Sequence, residues 1–276
     1  MLLHWLDYSI SKKGAFSMKP LLTVSNLSYQ VGAKTLLKDI SFSMSAGELV
    51  GVIGPNGAGK STLMKCISGF QAYSQGEIII DGELLSSLSH IDRALSMSYL
   101  PQYSEAAFPF SVMETIGLGF HAKQQKTLIS KAVIEEQSQA ALERVGIGHL
   151  HHRTVTDLSG GEKQLVHFAR LLVQGTPLML LDEPTASLDI GHESQLMNVL
   201  HQECKNGKSA LVAIHNLNTA AEFCDRLILI NNGEVMAEGK PNEVLSEENI
   251  RSLYQDLVMV SHHAVTGNTI VSPYKK

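Results

Sequence analysis

The sequence contains little cysteine and has no long hydrophobic run. Its cysteines stand singly at Cys66, Cys204 and Cys224, a pattern typical of free thiols rather than of a disulfide framework, and this predicts a reducing compartment such as the cytoplasm. No apolar run approaches the roughly 20 residues needed to cross a bilayer, so we expect any membrane role to act through a partner. The net charge of -5 argues against a dedicated nucleic-acid binder, because such proteins need a basic face.

The segment 1–17 differs from the rest of the chain. Asp7 lies inside its short apolar stretch and Lys12 and Lys13 follow it, which is the reverse of the charge order in a signal peptide. We interpret the segment as a disordered upstream extension, with Met18 as an alternative start. Residues 18–276 then form a single domain.

Strand-like runs alternate with helical runs along that domain, and this order predicts an α/β fold with a parallel sheet. The opening section differs, because the runs at 21–29, 40–44 and 78–80, with a turn at Asp81 and Gly82, are typical of antiparallel strands. We therefore expect a mixed sheet core with an antiparallel N-terminal part.

A polar and mostly helical region interrupts the sheet pattern. Residues 114–121, 128–145 and the histidine-rich stretch 149–152 predict a helical insert at about 103–175. The histidines could bind a metal, but an exposed segment is the favoured interpretation, because no carboxylate or cysteine is placed to complete a metal site.

A glycine-rich loop follows the apolar run 49–53. The loop and the start of the next helix comprise Gly54, Pro55, Asn56, Gly57, Ala58, Gly59, Lys60, Ser61 and Thr62. Glycines free the backbone to turn N–H groups toward one anion, and the positive end of the helix dipole points to the same place. Lys60 adds a full charge, and the Ser61 hydroxyl can bind Mg²⁺. The pattern predicts a cradle for nucleotide phosphates.

Two carboxylates, Asp182 and Glu183, follow a second apolar run at 178–181. Ligands of open parallel sheets bind at the carboxyl ends of the strands, so these side chains should converge with the glycine-rich loop. We expect Asp182 to hold Mg²⁺ and Glu183 to orient and polarise the attacking water. A third strand, at 210–214, ends in His215, which we expect to contact the γ-phosphate.

A second anion cradle is predicted at Ser159, Gly160 and Gly161, between Leu158 and Glu162. The glycines leave amide groups bare at the start of a helical pattern. Ser-Gly-Gly is a frequent turn, but its position ahead of the Asp182 strand makes it specific.

With these motifs the chain resembles the ATP-binding cassette (ABC) ATPase family over about residues 21–273. The resemblance implies a P-loop NTPase ABC cassette with ATP and Mg²⁺. It implies that Gln102 is a catalytic and metal-binding residue of the Q-loop, that Asp189 belongs to the D-loop and that His215 is the switch histidine. It also implies that Tyr29 stacks on adenine, although a buried sheet tyrosine is the alternative. Because the family's site is composite and each motif occurs once here, a homodimer is expected.

Three stretches indicate a subfamily of the ABC ATPases: 108–112, 188–192, and 241–254 with 258–260. They are similar to cytoplasmic ATPases of bacterial importers for ferric siderophores, haem and cobalamin. That similarity implies two transmembrane permease subunits, an indirect periplasmic or surface substrate-binding protein, a peripheral position on the cytoplasmic face of the inner membrane, and no nucleic-acid partner.

Two residues depart from the common family pattern. The family's signature motif corresponds here to residues 158–162, and Glu162 stands where that motif more often has glutamine. Leu165 stands where an arginine is usual. Two alternative functions remain open: a separate ATPase subunit of an exporter, and a soluble ABC ATPase without a transport role.

Overall fold

The computed structural model describes residues 19–102, 109–254 and 257–274. The predicted extension at 1–17 and the motif residue Phe108 lie outside the described residues. The strands are β1 (Leu22–Val31), β2 (Lys34–Met44), β3 (Leu49–Ile53), β4 (Gln75–Ile80), β5 (Glu83–Leu84), β6 (Met97–Leu100), β7 (Leu178–Asp182), β8 (Ser209–Ala213), β9 (Arg226–Asn231), β10 (Glu234–Gly239), β11 (Val258–His262) and β12 (Thr269–Pro273).

Helices follow or precede most of these strands. They are α1 (Lys60–Ile67), α2 (His90–Ser96), α3 (Val112–Gly117), α4 (His121–Gln124), α5 (Lys131–Arg144), α6 (Gly160–Gln174), α7 (Ile190–Lys205), α8 (Leu217–Phe223), α9 (Pro241–Val244) and α10 (Glu247–Tyr254). None of these described helices combines the length and the apolar character required to cross a bilayer.

The strands form a mixed sheet, an antiparallel sheet and a hairpin. The largest sheet has the order β10-β9-β3-β8-β7-β6, in which β10 is antiparallel to β9 and the other neighbours are parallel. A second sheet, of order β2-β1-β4-β5, is antiparallel throughout. This arrangement confirms the predicted α/β fold with an antiparallel N-terminal part. Strands β11 and β12 pair only with each other within the described residues.

The central strands of the largest sheet are buried on both faces, whereas its edge strand β10 is exposed or half-buried. Alternate residues of β3 point to opposite sides, with Leu49 and Ile53 in one core cluster and Val50 and Val52 in the other. The first cluster lies under α3, α5, α6, α7 and α8, and the second joins α1 to the antiparallel sheet. Burial on both sides explains why β3, β7 and β8 are nearly continuous apolar runs.

The elements described between β6 and β7 are helices, short 3₁₀ turns and one isolated bridge from Ser111 to Thr154. Helix α6 packs against α3, α5 and β6, which attaches this region to the sheet. The predicted helix at 128–145 begins later, at Lys131, because the Ser130 hydroxyl accepts a hydrogen bond from the Val133 amide and caps it.

Candidate nucleotide site

The glycine-rich loop between β3 and α1 depends on positive φ angles. Gly54 has φ 148°, and a Cβ there would lie 2.0 Å from the Ile230 carbonyl oxygen of β9. Gly59 has φ 111° and precedes α1, so no side chain caps the first amides of that helix. A Cβ on Gly57, with φ 80°, would meet no atom within 4 Å. The loop therefore packs against β9 on one side and faces open space on the other, as a phosphate cradle requires.

Lys60 folds back over this loop. Its side chain is buried, and Nζ donates hydrogen bonds to the carbonyl oxygens of Gly54 (2.8 Å) and Pro55 (3.2 Å). Burial lowers the pKa of Lys60, and the charges of Glu183 and Asp182 oppose that shift. A phosphate group would supply the counter-charge that the loop carbonyls provide only in part.

Ser61 and Asp182 meet at the carboxyl end of β7. The Ser61 hydroxyl donates a hydrogen bond of 2.9 Å to Asp182 Oδ1, and Asp182 is only 1% exposed. Burial raises the pKa of Asp182, because the charged carboxylate loses its water. The Ser61 hydroxyl and the desolvated Asp182 carboxylate together offer two hard oxygen ligands, and such ligands suit Mg²⁺.

Glu183 sits in a bend just beyond β7. It has φ 49°, and its backbone amide donates to the Ala213 carbonyl oxygen of β8 at 3.0 Å. Gln102, two residues beyond β6, donates from Nε2 to Glu183 Oε2 at 2.6 Å. His215 follows β8 and is exposed in the same cleft. The parallel strands thus bring these three side chains to one edge of the sheet, as the strand-end positions of Glu183 and His215 predicted for those two residues.

The cleft has a volume of about 470 Å³. Its lining consists of Lys34, Leu36, Asn56, Gly57, Gly59, Lys60, Ser61, Thr62, Gln102, Glu183 and His215. Sequence reasoning missed Lys34 and Leu36, because nothing in the pattern of β2 indicates that its first residues face the phosphate loop. Tyr29 is not part of this lining. Its half-buried side chain packs against the second core cluster, as in the alternative interpretation of that residue.

The predicted second cradle, at the start of α6, lies outside the cleft lining. Ser159 caps α6: its hydroxyl accepts a hydrogen bond from the Glu162 amide, and its own amide donates to Glu162 Oε2 at 2.8 Å. Ser159 and Gly160 are exposed. A Cβ on Gly161 would lie 2.9 Å from the Ser187 carbonyl oxygen. Glycine therefore allows the backbone of the D-loop, residues 187–189, to approach the start of α6.

Asp189 occupies a position of the same kind at the start of α7. Its carboxylate accepts hydrogen bonds from the His192 amide and from His192 Nδ1, both at 2.9 Å. These bonds and the adjacent backbone amides lower the pKa of Asp189. Asp189 is exposed and lies outside the cleft lining. The residue departing from the family pattern, Leu165, is 1% exposed and belongs to the first core cluster, so it serves packing.

The sequence matches the family model described as ABC transporter over residues 37–186. Among curated proteins, the chain is 37% identical over 256 residues to the hemin import ATP-binding protein HmuV of Pseudomonas fluorescens, covering 91% of this chain and 99% of that protein. It is 36% identical over 255 residues to the cobalamin import ATP-binding protein BtuD of Halobacterium salinarum, covering 91% of this chain and 63% of that protein.

The solved structures that the chain resembles also include ABC transporters. A metal-chelate type ABC transporter in an inward-facing conformation superposes with a TM-score of 0.78 at 25% identity, covering 94% of this chain and 99% of that one. A dimeric bacterial ABC transporter cassette superposes with a TM-score of 0.72 at 26% identity, covering 80% and 99% of the two chains.

Proposed function

The chain belongs to the ABC transporter ATPase family, as an importer-type ATPase, and on that premise we propose that it energises uptake of a metal chelate of the ferric-siderophore, haem or cobalamin type. The convergence of the glycine-rich loop and Glu183 in one cleft carries the ATPase assignment, and the buried Asp182 is bonded to Ser61 of that lining. The cargo class is supported by the relatives, which are named for hemin and cobalamin import.

In the proposed reaction, the loop amides and Lys60 bind the β- and γ-phosphates, and Ser61 and Asp182 hold Mg²⁺. When bound, that ion neutralises charge on the phosphate oxygens. Glu183 orients the attacking water and accepts its proton. Gln102 positions Glu183 through the 2.6 Å hydrogen bond, and His215, which lines the same cleft, would contact the γ-phosphate.

A second copy of the chain is proposed to complete the site. The start of α6, with Ser159 and Gly160, is exposed and does not line the cleft of its own chain. In a homodimer it would close over nucleotide held by the phosphate loop of the other copy. Residues near Asp189 would lie beside the same interface, since Gly161 touches the D-loop backbone.

A groove beside β6 is the proposed docking site for two membrane permease subunits, one on each copy, at the cytoplasmic face of the membrane. Phe70, 78% exposed, packs its ring 5.6 Å from that of Tyr99 in a cavity of about 310 Å³ that Arg93 also lines. A second cavity, of about 240 Å³, shares Tyr99 and extends to the exposed Leu118. Tyr99 lies on β6, three residues before Gln102, so the groove and the hydrolytic site share one strand.

Reconstitution in liposomes tests the transport role. The chain, its candidate permease and a substrate-binding protein should take up one of haem, cobalamin or a ferric siderophore when ATP is present on the ATPase side. Outward transport would favour the exporter alternative. Full turnover that no membrane partner changes would favour the soluble ATPase.

Two variants test the coupling route. Phe70→Ser should weaken permease binding, whereas Val265→Ser, at an exposed apolar residue outside the groove, should not. Gln102→Ala should reduce the acceleration by the permease more than the basal rate, because Gln102 is placed between groove and cleft. Equal reductions of both rates would leave Gln102 as a residue of the chemistry alone.

A further inference from the structure

A cavity of about 410 Å³ lies on the opposite edge of the parallel sheet from the nucleotide cleft. Gly175 and Lys208, which line it, come just before the amino ends of β7 and β8, whereas Glu183 and His215 follow the carboxyl ends of the same strands. The lining residues are Lys123, Gln137, Ala140, Ala141, Arg144, Leu172, Val173, Gly175 and Lys208.

The charged side chains that line this cavity are all positive. Lys123, Arg144 and Lys208 line it, and among the residues that the structure describes no acidic side chain does. Arg144 and Lys208 both form ion pairs with Glu203, a carboxylate outside the lining that is 4% exposed. Three cations against one buried carboxylate leave a positive surplus, in a chain whose net charge is -5.

Lys123 is held in the cavity without an acidic partner among the residues that the structure describes. Its Nζ donates a hydrogen bond of 3.1 Å to the Val173 carbonyl oxygen at the end of α6. Gly175 makes this approach possible, because a Cβ there would lie 2.8 Å from Lys123 Nζ. Burial lowers the pKa of Lys123, and the charge of Lys208 lowers it further, as expected for two cations that share an uncompensated site.

We propose that this cavity binds a small multivalent anion with phosphate-type oxygens, bridged by Lys123, Arg144 and Lys208. Its volume lies within the roughly 300–1,000 Å³ of ligand pockets. Ala140 and Ala141 leave room on the α5 side, and each cation keeps N–H groups beyond those used in the contacts above. The carbonyl end of α6 opposes an anion, but its Val173 oxygen is already bonded to Lys123.

Such an anion would join two parts of the fold. Lys123 and Arg144 belong to helices of the region between β6 and β7, while Lys208 leads into the central strand β8. Bound anion would therefore restrain the helical region, including α6 with its exposed signature end, against the sheet. A ligand that binds only the folded chain also raises its stability.

Calorimetric titration tests the proposal. The full-length chain is first saturated with Mg-ADP, which fills the nucleotide cleft, and pyrophosphate is then added at constant ionic strength. We expect saturable binding and a rise in the thermal unfolding midpoint. The double variant Lys123→Gln, Lys208→Gln should weaken binding about tenfold or more. Lys205→Gln, at an exposed lysine outside the lining, is the matched control.

A second variant distinguishes loss of the anion site from a general loss of structure. Ala140→Glu keeps all three cations, places a carboxylate at the exposed mouth of the cavity and suits the helix α5. It should abolish pyrophosphate binding while basal ATP hydrolysis stays unchanged. Binding that survives in both variants would overturn the proposal, and the hydrolysis assay reports on the nucleotide site separately.

A flotation experiment decides whether the phosphate group belongs to a lipid headgroup or to a free anion. Vesicles of phosphatidylcholine with phosphatidylglycerol are compared with phosphatidylcholine alone in flotation assays. Flotation that requires phosphatidylglycerol and is lost in Ala140→Glu would identify a lipid headgroup, and pyrophosphate binding without flotation would identify a free anion. Binding of neither probe would overturn the site.

Discussion

Helix α1 begins directly after Gly59 and α6 begins with Gly160 and Gly161, but their first turns are completed differently. At α1 the preceding residue, Gly59, has no side chain to offer, and the first turn carries the buried Lys60. At α6, Ser159 and Glu162 bond to each other's backbone in a capping box. The first helix start leaves its amides to a ligand, whereas the second satisfies part of its own amides and stays exposed.

The difference supports the proposal that one chain holds half of each of two sites. An uncapped helix start inside a cleft is complete as an anion site only when phosphate is present. A capped and exposed helix start is stable alone and can be presented to another molecule. The two helix starts should therefore respond differently to matched substitutions.

Glu183→Gln should slow ATP hydrolysis by about 10²–10⁴ and leave ATP binding intact, because an amide cannot accept the proton of the attacking water. The same exchange at the other helix start, Glu162→Gln, should leave turnover within about twofold, since Glu162 contacts only the Ser159 cap. Steady-state turnover and ATP affinity are measured for both. Near-normal turnover of Glu183→Gln would remove it from the role of water-activating base.

Dimer formation should require both helix starts. We expect Glu183→Gln protein with Mg-ATP to elute as a dimer in size-exclusion chromatography. Adding Lys60→Ala, which removes a phosphate contact, or Ser159→Arg, which blocks the exposed start of α6, should restore the monomer.

The matched control for this experiment is Ser130→Arg. It removes a cap of the same type from α5, at an exposed position, and should leave the dimer intact. A dimer that persists with Ser159→Arg would place the interface elsewhere.

His167 on α6 should make the protein sensitive to acid. It is buried, neither ring nitrogen has a partner among the described residues, and burial, with a smaller effect of Arg170, lowers its pKa from 6.5 to about 4. The unfolded chain therefore binds this proton more readily, and the free energy of unfolding should fall as pH drops from about 6.5 to 4. This group alone contributes about 3 kcal/mol to that fall.

Denaturant unfolding at pH 7 and pH 4 measures the effect, with His167→Leu as the comparison. The wild-type chain should lose more stability than the variant on acidification, because other titrating groups are common to both. Equal losses would contradict the burial of an uncharged histidine at this position.

Asp182, which is buried beside the nucleotide cleft, should change stability with pH in the opposite direction. Because burial raises its pKa, the folded state disfavours the charged carboxylate, and this cost is present above the pKa and disappears on protonation. Asp182→Asn should therefore stabilise the nucleotide-free chain at pH 7 and raise its thermal unfolding midpoint. Thermal unfolding tests this, with the exposed Asp157→Asn as control, and a lower midpoint for Asp182→Asn would contradict it.

Much of the site could be predicted because its chemistry is local in sequence. The run from β3 through Gly54 and Lys60 combines an apolar strand, glycines and a helix start within a few residues. Asp182 and Glu183 likewise follow their strand directly. A parallel sheet then brings such strand ends to one edge, whatever the connections between them.

Tyr29 shows where such local reasoning is weakest. A strand side chain alternates between two faces, so one inserted residue changes which face it occupies. Strand β1 has register shifts on both sides of Tyr29 in its pairing with β2. The half-buried Tyr29 side chain packs against the second core cluster, and its stacking on adenine stays a prediction of the resemblance.

The nucleotide chemistry, the mixed sheet and the single copy of each motif could be predicted from the residues alone, because these follow from short patterns of residue type. Which distant residues meet became visible only in the folded structure. Gln102 reaches Glu183 across 81 positions, and Lys123, Arg144 and Lys208 converge on one cavity although no pattern links them. Such contacts depend on how helices pack against the sheet, and packing is set by the shape of the whole core rather than by any local run.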